Sequence, residues 1–317
     1  MISKPYSITS NVSPIDVPWA IGKHIIASSV HLMHLTPQWY MLLIYKFGLK
    51  DSIIITANGR TIVIDSQKEY NDFFDSMGAH PNLPVKINKD YVKFRVANKI
   101  LKFYFDSKAR FGNTLNVIEE VFVDGIYKSL DVKDKVVVDI GGNVGDTAIY
   151  FAMHGASKVY TYEAVPKIFR VLLKNVKVNG FENKVTAYNK ACGSGKSIII
   201  AKSEDRAGEL FSTSNGIRIN MISLDKITEK ACIKSAGVLK MDCEGSEYDI
   251  ILKASSKTLR AYSDIMLEYH RGYKNLIKRL RGEGFKVSYT RPIYVSKGEG
   301  LSSNLMVGLI RAHRDSK

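Results

Sequence analysis

Carboxylates gather in one short stretch, VLKMDCEGSEYD at residues 238–249, where Asp242, Glu244, Glu247 and Asp249 follow an apolar run. Such a group can bind a metal ion, take a proton from an acceptor, or simply start a helix. Position along the chain separates these roles. VLKM has the pattern of a buried strand, so Asp242 stands at its carboxyl end and Glu244 in the turn that follows. Glu247 and Asp249 fall in the first turn of the next helix, where acids favour the helix dipole without further purpose. Asp242 is therefore read as catalytic, Glu244 as a second candidate, and Glu247 and Asp249 as helix-start residues. Cys243 is expected on the opposite side of the strand from Asp242, as a packed thiol. A second pair, Glu268 and His270, ends the run DIMLEYH. Side chains alternate along a strand, so these two share a face while Tyr269 points away. His270 is expected to act as a base near neutrality. Asp242, Glu268 and His270 could also collect a divalent metal ion, but nothing fixes a ligand spacing and a metal-free mechanism is preferred.

A glycine-rich turn supplies the other half of the chemistry. In VVVDIGGNVGDTA, Gly141, Gly142 and Gly145 permit a tight turn, and the helix opened by Asp146 offers its positive end to a ligand. Asn143 stands where a dinucleotide fingerprint needs its second glycine, so that spacing fails. Asp139, inside the strand end, suits a ligand amino group better than a pyrophosphate. Glu163, followed by Ala164, ends the next strand and can accept both hydroxyls of a ribose. A nucleoside with an amino-acid tail satisfies both acids, which is S-adenosyl-L-methionine. The expected cofactor set is Asp139, Gly141, Gly142, Asn143, Gly145, Asp146, Glu163, Ala164 and Asp242. GSGKS at 193–197 imitates the end of a phosphate loop but has Lys190 where the first glycine belongs, and is read as a turn between strands.

These residues need a frame that brings strand ends together. From residue 111 onward strands and helices alternate: KVVVDIGG, KVYTYEAVP, KVTAYNKA, VLKMDCEG, SDIMLEYH, FKVSY and NLMVGLI are strand-like. The alternation predicts an α/β fold, a doubly wound, mainly parallel Rossmann-like sheet, with ligands at the carboxyl ends of the strands. Residues 1–110 are expected to form a smaller accessory α+β domain and 111–317 the catalytic one. In the first unit, Asn58-Gly59 predicts a hairpin, Ser66–Glu69 a capping box that starts a helix running towards Gly78, and Tyr91–Phe105 a second β pair turning near Ala97-Asn98.

With those motifs in order, the chain resembles the FkbM family of class I S-adenosylmethionine-dependent methyltransferases. The resemblance rests on VVVDIGGNVGDTAIYFA, VYTYEAVP, ISLDKI at 222–227, and VLKMDCEGSEYDIIL with DIMLEYH downstream. It spans roughly residues 111–311. Gly142 departs from it, since the family more often has Ala there, a difference expected to be harmless. The resemblance implies O-methylation of a hydroxyl, typically on a sugar or a natural product, and leaves the acceptor open.

Composition sets the remaining bounds. The 317 residues carry a formal charge of +15. Residues 271–317 hold eleven Lys/Arg against three acids. RGYKNLIKRLRGEGF predicts an amphipathic helix with Tyr273, Leu276, Ile277 and Leu280 inward. The basic surplus suits an anionic or lipid-linked acceptor, or a nucleic acid, whose methylation is the alternative activity. Cys192, Cys232 and Cys243 form no C-x-x-C pair, which points to a reducing compartment. MISKPYSITSNVSP lacks a secretory h-region, and a cytoplasmic location is expected. Residues 24–45 carry no Asp, Glu, Lys or Arg but are interrupted by polar residues and Pro37, so two short docked helices are read there, with no transmembrane span. Peripheral membrane contact, and a non-catalytic membrane-associated binding module, are the alternatives from that segment.

Overall fold

The structure, a computed structural model, describes residues 49–57, 60–64, 85–87, 90–105, 111–201, 216–295 and 305–315, with four single positions between 38 and 44. The expected capping box at 66–69 and its helix, and most of the segment 24–45, lie outside the described residues. No described helix is long and apolar enough to cross a membrane.

Five short strands come first: β1 Ile53–Ala57, β2 Arg60–Ile64, β3 Val85–Ile87, β4 Tyr91–Val96 and β5 Lys99–Tyr104. β1 and β2 pair antiparallel on either side of Asn58-Gly59, with Ala57 opposite Arg60. β4 and β5 form the second expected hairpin, Val96 opposite Lys99, with Ala97 in the left-handed region at φ 48°.

The chain from residue 111 onward contributes β6 Val136–Ile140, β7 Lys158–Tyr162, β8 Val185–Tyr188, β9 Ala191–Cys192, β10 Ser197–Ala201, β11 Gly216–Ile222, β12 Gly237–Met241, β13 Tyr262–Tyr269, β14 Lys286–Tyr289, β15 Ile293–Val295 and β16 Leu305–His313. The main sheet runs β14-β16-β13-β12-β6-β7-β8, with β15 attached to β16. Pairing is parallel from β13 to β8. It is antiparallel around β16. The chain order reverses between β6 and β12, so this crevice is the switch point where ligands of such sheets bind. GSGKS lies in the connection from β9 to β10, as its reading as a turn requires.

Alternation explains the core. Val138 and Ile140 of β6 join Leu239 and Met241 of β12 in one cluster, while Val137 and Val238 belong to another on the opposite face. That second cluster also takes Val92, Phe94, Leu101 and Phe103 from the β4–β5 hairpin and Ile118 and Val121 from the helix Phe111–Phe122. The domain boundary expected at residue 110 therefore cuts through a shared core. Phe94 and Phe103 stack at 5.8 Å, and Phe122 meets both edge-on.

Two asparagines of the helix Pro166–Val178 and its end dock the hairpin. Asn175, fully buried, accepts from Tyr104 N at 2.7 Å and donates to the carbonyls of Tyr104 and Val144. Asn179 accepts from Lys102 N at 2.9 Å and donates back to its carbonyl at 2.8 Å. Asn175→Ala leaves three backbone groups without partners. Each orphaned buried group costs about 1–3 kcal/mol, so a loss of at least about 2 kcal/mol is expected in urea unfolding, with faster hydrogen exchange at the Tyr104 amide.

Candidate functional site

Register builds the floor of the site. Asp139 on β6 lies opposite Thr161 on β7 and Lys240 on β12. Parallel partners point to the same face, so both reach its carboxylate. Lys240 Nζ lies 3.1 Å from Oδ1, and Thr161 Oγ1 donates to Oδ2 at 2.8 Å. Thr147, from the helix Asp146–Met153, donates to Oδ2 at 2.9 Å. Lys240 also donates to the Gly141 carbonyl at 2.7 Å. Its pKa stays well above the ordinary lysine value: burial would lower it, and Asp139 outweighs burial. Asp139, expected to receive a ligand amino group, is thus fully enclosed and already engaged by this protein's own cation. Its geometry is that of a linchpin under the turn.

The turn sits directly above. Gly141 and Gly142 donate their N–H groups to Tyr162 O at 2.9 and 3.0 Å. At Gly141, with φ 81°, a Cβ would lie 1.7 Å from the Asp242 carbonyl oxygen, so the turn and the acidic loop touch through backbone. A Cβ at Gly142 would meet Thr161 Oγ1 at 2.1 Å. The alanine expected to be harmless here would therefore displace the hydroxyl that holds Asp139. Asn143 N donates to Glu163 Oε2 at 3.0 Å and Val165 N to Oε1 at 2.7 Å, which fixes Glu163 at the end of β7. Asn189, which sequence reasoning missed, donates to the carbonyls of Glu163 and Ala164. Asp146 is buried with Oδ1 lacking a partner, and burial raises its pKa to about 7.

The acidic side is organised around His270, which is only 6% exposed in its side chain. Nδ1 lies 3.2 Å from Glu247 Oε1. Nε2 lies 3.4 Å from Glu244 Oε2 and 3.9 Å from both Asp242 Oδ1 and Glu268 Oε1. Burial would lower the imidazole pKa, but Glu247, Glu244 and Asp242 hold it up at about 10. The surrounding carboxylates favour the charged imidazole, which runs against its expected role as a base. Glu247 is corrected too. It opens the helix Glu247–Lys253 as expected, yet it is fully buried, accepts from Cys243 N at 3.0 Å and anchors the imidazole. A buried acid in the first turn of a helix is indistinguishable in sequence from one that merely favours the dipole. Asp249 does keep a local role, accepting from Ser194 and pairing with Lys253. Cys243 packs against the core cluster, and burial pushes its thiol well up.

Asp242 and Glu244 remain about one third exposed, the latter at φ 54°. Burial, with repulsion from Asp242, raises Glu244 to about 7 and Glu268 to about 9. Burial and the neighbouring Asp242 thus favour the neutral form of Glu268. Tyr248 secures the strand end, donating to Gly272 O and accepting from Arg271 N.

Residues 139–287 match the model of the methyltransferase FkbM domain. A tRNA(Phe) (4-demethylwyosine(37)-C(7)) aminocarboxypropyltransferase of Pyrococcus horikoshii is 29% identical over 34% of this chain and 37% of its own length. A probable protein arginine N-methyltransferase 1.2 of Arabidopsis thaliana is 33% identical over 26% of this chain and 24% of its own. The chain thus spans little more than a third of the one relative and about a quarter of the other. Among solved structures, an S-adenosylmethionine-dependent methyltransferase of Agrobacterium tumefaciens aligns with TM-score 0.42 at 8% identity, covering 84% of this chain and 88% of that one. TrmK of M. capricolum, solved with S-adenosyl-homocysteine, aligns with TM-score 0.38 at 14% identity over 59% of this chain and 65% of that one.

Two measurements probe the site's electrostatics. Lys240→Met strands the Asp139 carboxylate, and a loss of about 3–5 kcal/mol is expected in denaturant unfolding. Asp139→Asn in the same chain should recover part of it. Glu268, His270 and Glu244 all have folded pKa values above their unfolded ones. Their contribution is complete at low pH and lost as pH rises towards about 10. Glu268→Gln mimics the protonated acid. It should match the native chain only below the ordinary carboxyl pKa of 4.5 and exceed it in stability increasingly as pH rises towards 9, by at least about 1 kcal/mol, one pKa unit's worth.

Proposed function

We propose, on the match of residues 139–287 to the FkbM methyltransferase domain, that this chain is an S-adenosylmethionine-dependent methyltransferase acting on a hydroxyl oxygen of a glycan or other small-molecule acceptor. S-adenosylmethionine supplies, when bound, an electrophilic methyl group on a sulfonium leaving group. The residues fit such a ligand: Asp146 keeps an orphaned carboxylate oxygen for its ammonium group, and Glu163 stands at the strand end for the ribose. The glycine turn of Gly141, Gly142, Asn143 and Gly145 gives the backbone close approach. Asp139 acts beneath it as a positioning residue.

The observation that carries the hydroxyl acceptor is the trio of carboxylates, Asp242, Glu244 and Glu268, gathered within 4 Å of one imidazole nitrogen beside that turn. Asp242 would receive the proton of the acceptor hydroxyl. Glu268 and His270 hold the acceptor by hydrogen bonding, and the acidic wall disfavours phosphate close to the reacting atom.

One observation favours a second reading, an RNA acceptor. Lys174 Nζ lies 3.3 Å from the Tyr104 ring centroid and Lys102 Nζ 3.9 Å from that of Tyr91, a basic and aromatic face on the hairpin. Peripheral membrane contact through residues 24–45 accompanies a lipid-linked acceptor.

A screen with methyl-labelled cofactor across glycan, lipid-linked and RNA fractions tests both readings. Label in the first two, with Asp242→Asn lowering kcat about 10²–10⁴-fold while cofactor binding persists, is the expected result. Label confined to RNA overturns the glycan reading, and absence of cofactor binding overturns both.

A further inference from the structure

His270 is held in a way that neither proton transfer nor simple packing requires. Glu247 is fully buried, and the Cys243 N–H fixes its Oε1, which stands 3.2 Å from Nδ1. A carboxylate on Nδ1 keeps that nitrogen protonated and turns Nε2 the other way, where a metal ion can take the place of the Nε2 proton. That direction holds three carboxylate oxygens: Glu244 at 3.4 Å, and Asp242 and Glu268 at 3.9 Å. One ligand atom each from Asp242, Glu244 and His270 lie within 4.8 Å of one another. Around a divalent ion with bonds of about 2.1 Å, neighbouring donors lie about 3 Å apart and opposite donors about 4.2 Å. Small rotations of the part-exposed Asp242 and Glu244 side chains reach those separations, while buried His270 provides a fixed point. The carboxylate–imidazole–cation order, with a buried acid behind the histidine, is the arrangement that orients a metal-binding ring.

We propose that Asp242, Glu244 and His270 bind a divalent first-row transition ion, with Glu268 beside it and Glu247 as the positioning residue behind the imidazole. One nitrogen and two or three carboxylate oxygens suit Mn²⁺, Fe²⁺ or Zn²⁺ better than an all-oxygen ion such as Ca²⁺. Three protein ligands leave positions open for an acceptor oxygen, and vicinal hydroxyls or a catechol-like diol would fill two of them. This deepens the methyltransferase reading and rests on it for the use of the ion, though not for its binding.

The test uses the full chain, stripped with a chelator and titrated with Mn²⁺, free ion being followed by electron paramagnetic resonance. One saturable Mn²⁺ per chain is expected, with Zn²⁺ displacing it. Glu244→Gln and Asp242→Asn should each weaken binding at least tenfold. Glu247→Gln should weaken it about 10–100-fold without removing a ligand. Circular dichroism melts accompany each variant, and Glu244→Gln, at a part-exposed turn, keeps the test sound if Glu247→Gln fails to fold. No saturable binding of Mn²⁺ or Zn²⁺ by the folded chain, or binding indifferent to Glu244→Gln and Asp242→Asn, overturns the site. Calorimetry with S-adenosylmethionine runs in parallel. Cofactor binding without metal binding sinks the metal site alone, and metal binding without cofactor binding sinks the methyltransferase reading alone.

Discussion

A single buried ion pair governs the architecture. Asp139 and Lys240 sit on adjacent central strands at the point where the order of the sheet reverses, both excluded from water. Neither charge could be accommodated alone at such depth, so each fixes the register of the other's strand. A slip of one residue between β6 and β12 would send Lys240 into the opposite apolar layer and leave Asp139 facing no cation. Because Lys240 also grips the Gly141 carbonyl, the same contact sets the height of the glycine turn. The turn in turn abuts the Asp242 backbone, so donor side and acceptor side are positioned by one interaction.

The acceptor side solves a different problem, which is how to keep four acids near one another without driving the loop apart. Glu247 is ionised and neutralised by His270. Glu268 avoids its charge through burial and the proximity of Asp242. Asp242 and Glu244 reach solvent. Partner rather than depth separates them: the deepest acid, Glu247, is held down by His270, while burial with repulsion from Asp242 pushes Glu268 and Glu244 up.

Much of this was legible before any coordinates. Apolar β-branched runs followed by glycine or acid marked the parallel strands, and strand-end residues followed from them. What stayed hidden were contacts between distant strands. Lys240 interrupts VLKM, and a lysine in a run otherwise fit for burial signals an unseen acid, yet only the register names Asp139. Glu247 and His270 lie 23 positions apart and meet because a helix start packs under the end of β13. The hairpin 91–104 carries alternating apolar residues, but nothing local says that its inner face completes the core of the next domain.

The close approach at Gly142 ties two positions that are 19 residues apart. A side chain at 142 and a hydroxyl at 161 compete for one space, and the hydroxyl holds Asp139. Alanine at 142 therefore requires the Thr161 hydroxyl to turn away from this space or to be lost. The two positions are thus coupled, and residue 161 is the one to read beside 142 in a relative that carries this turn.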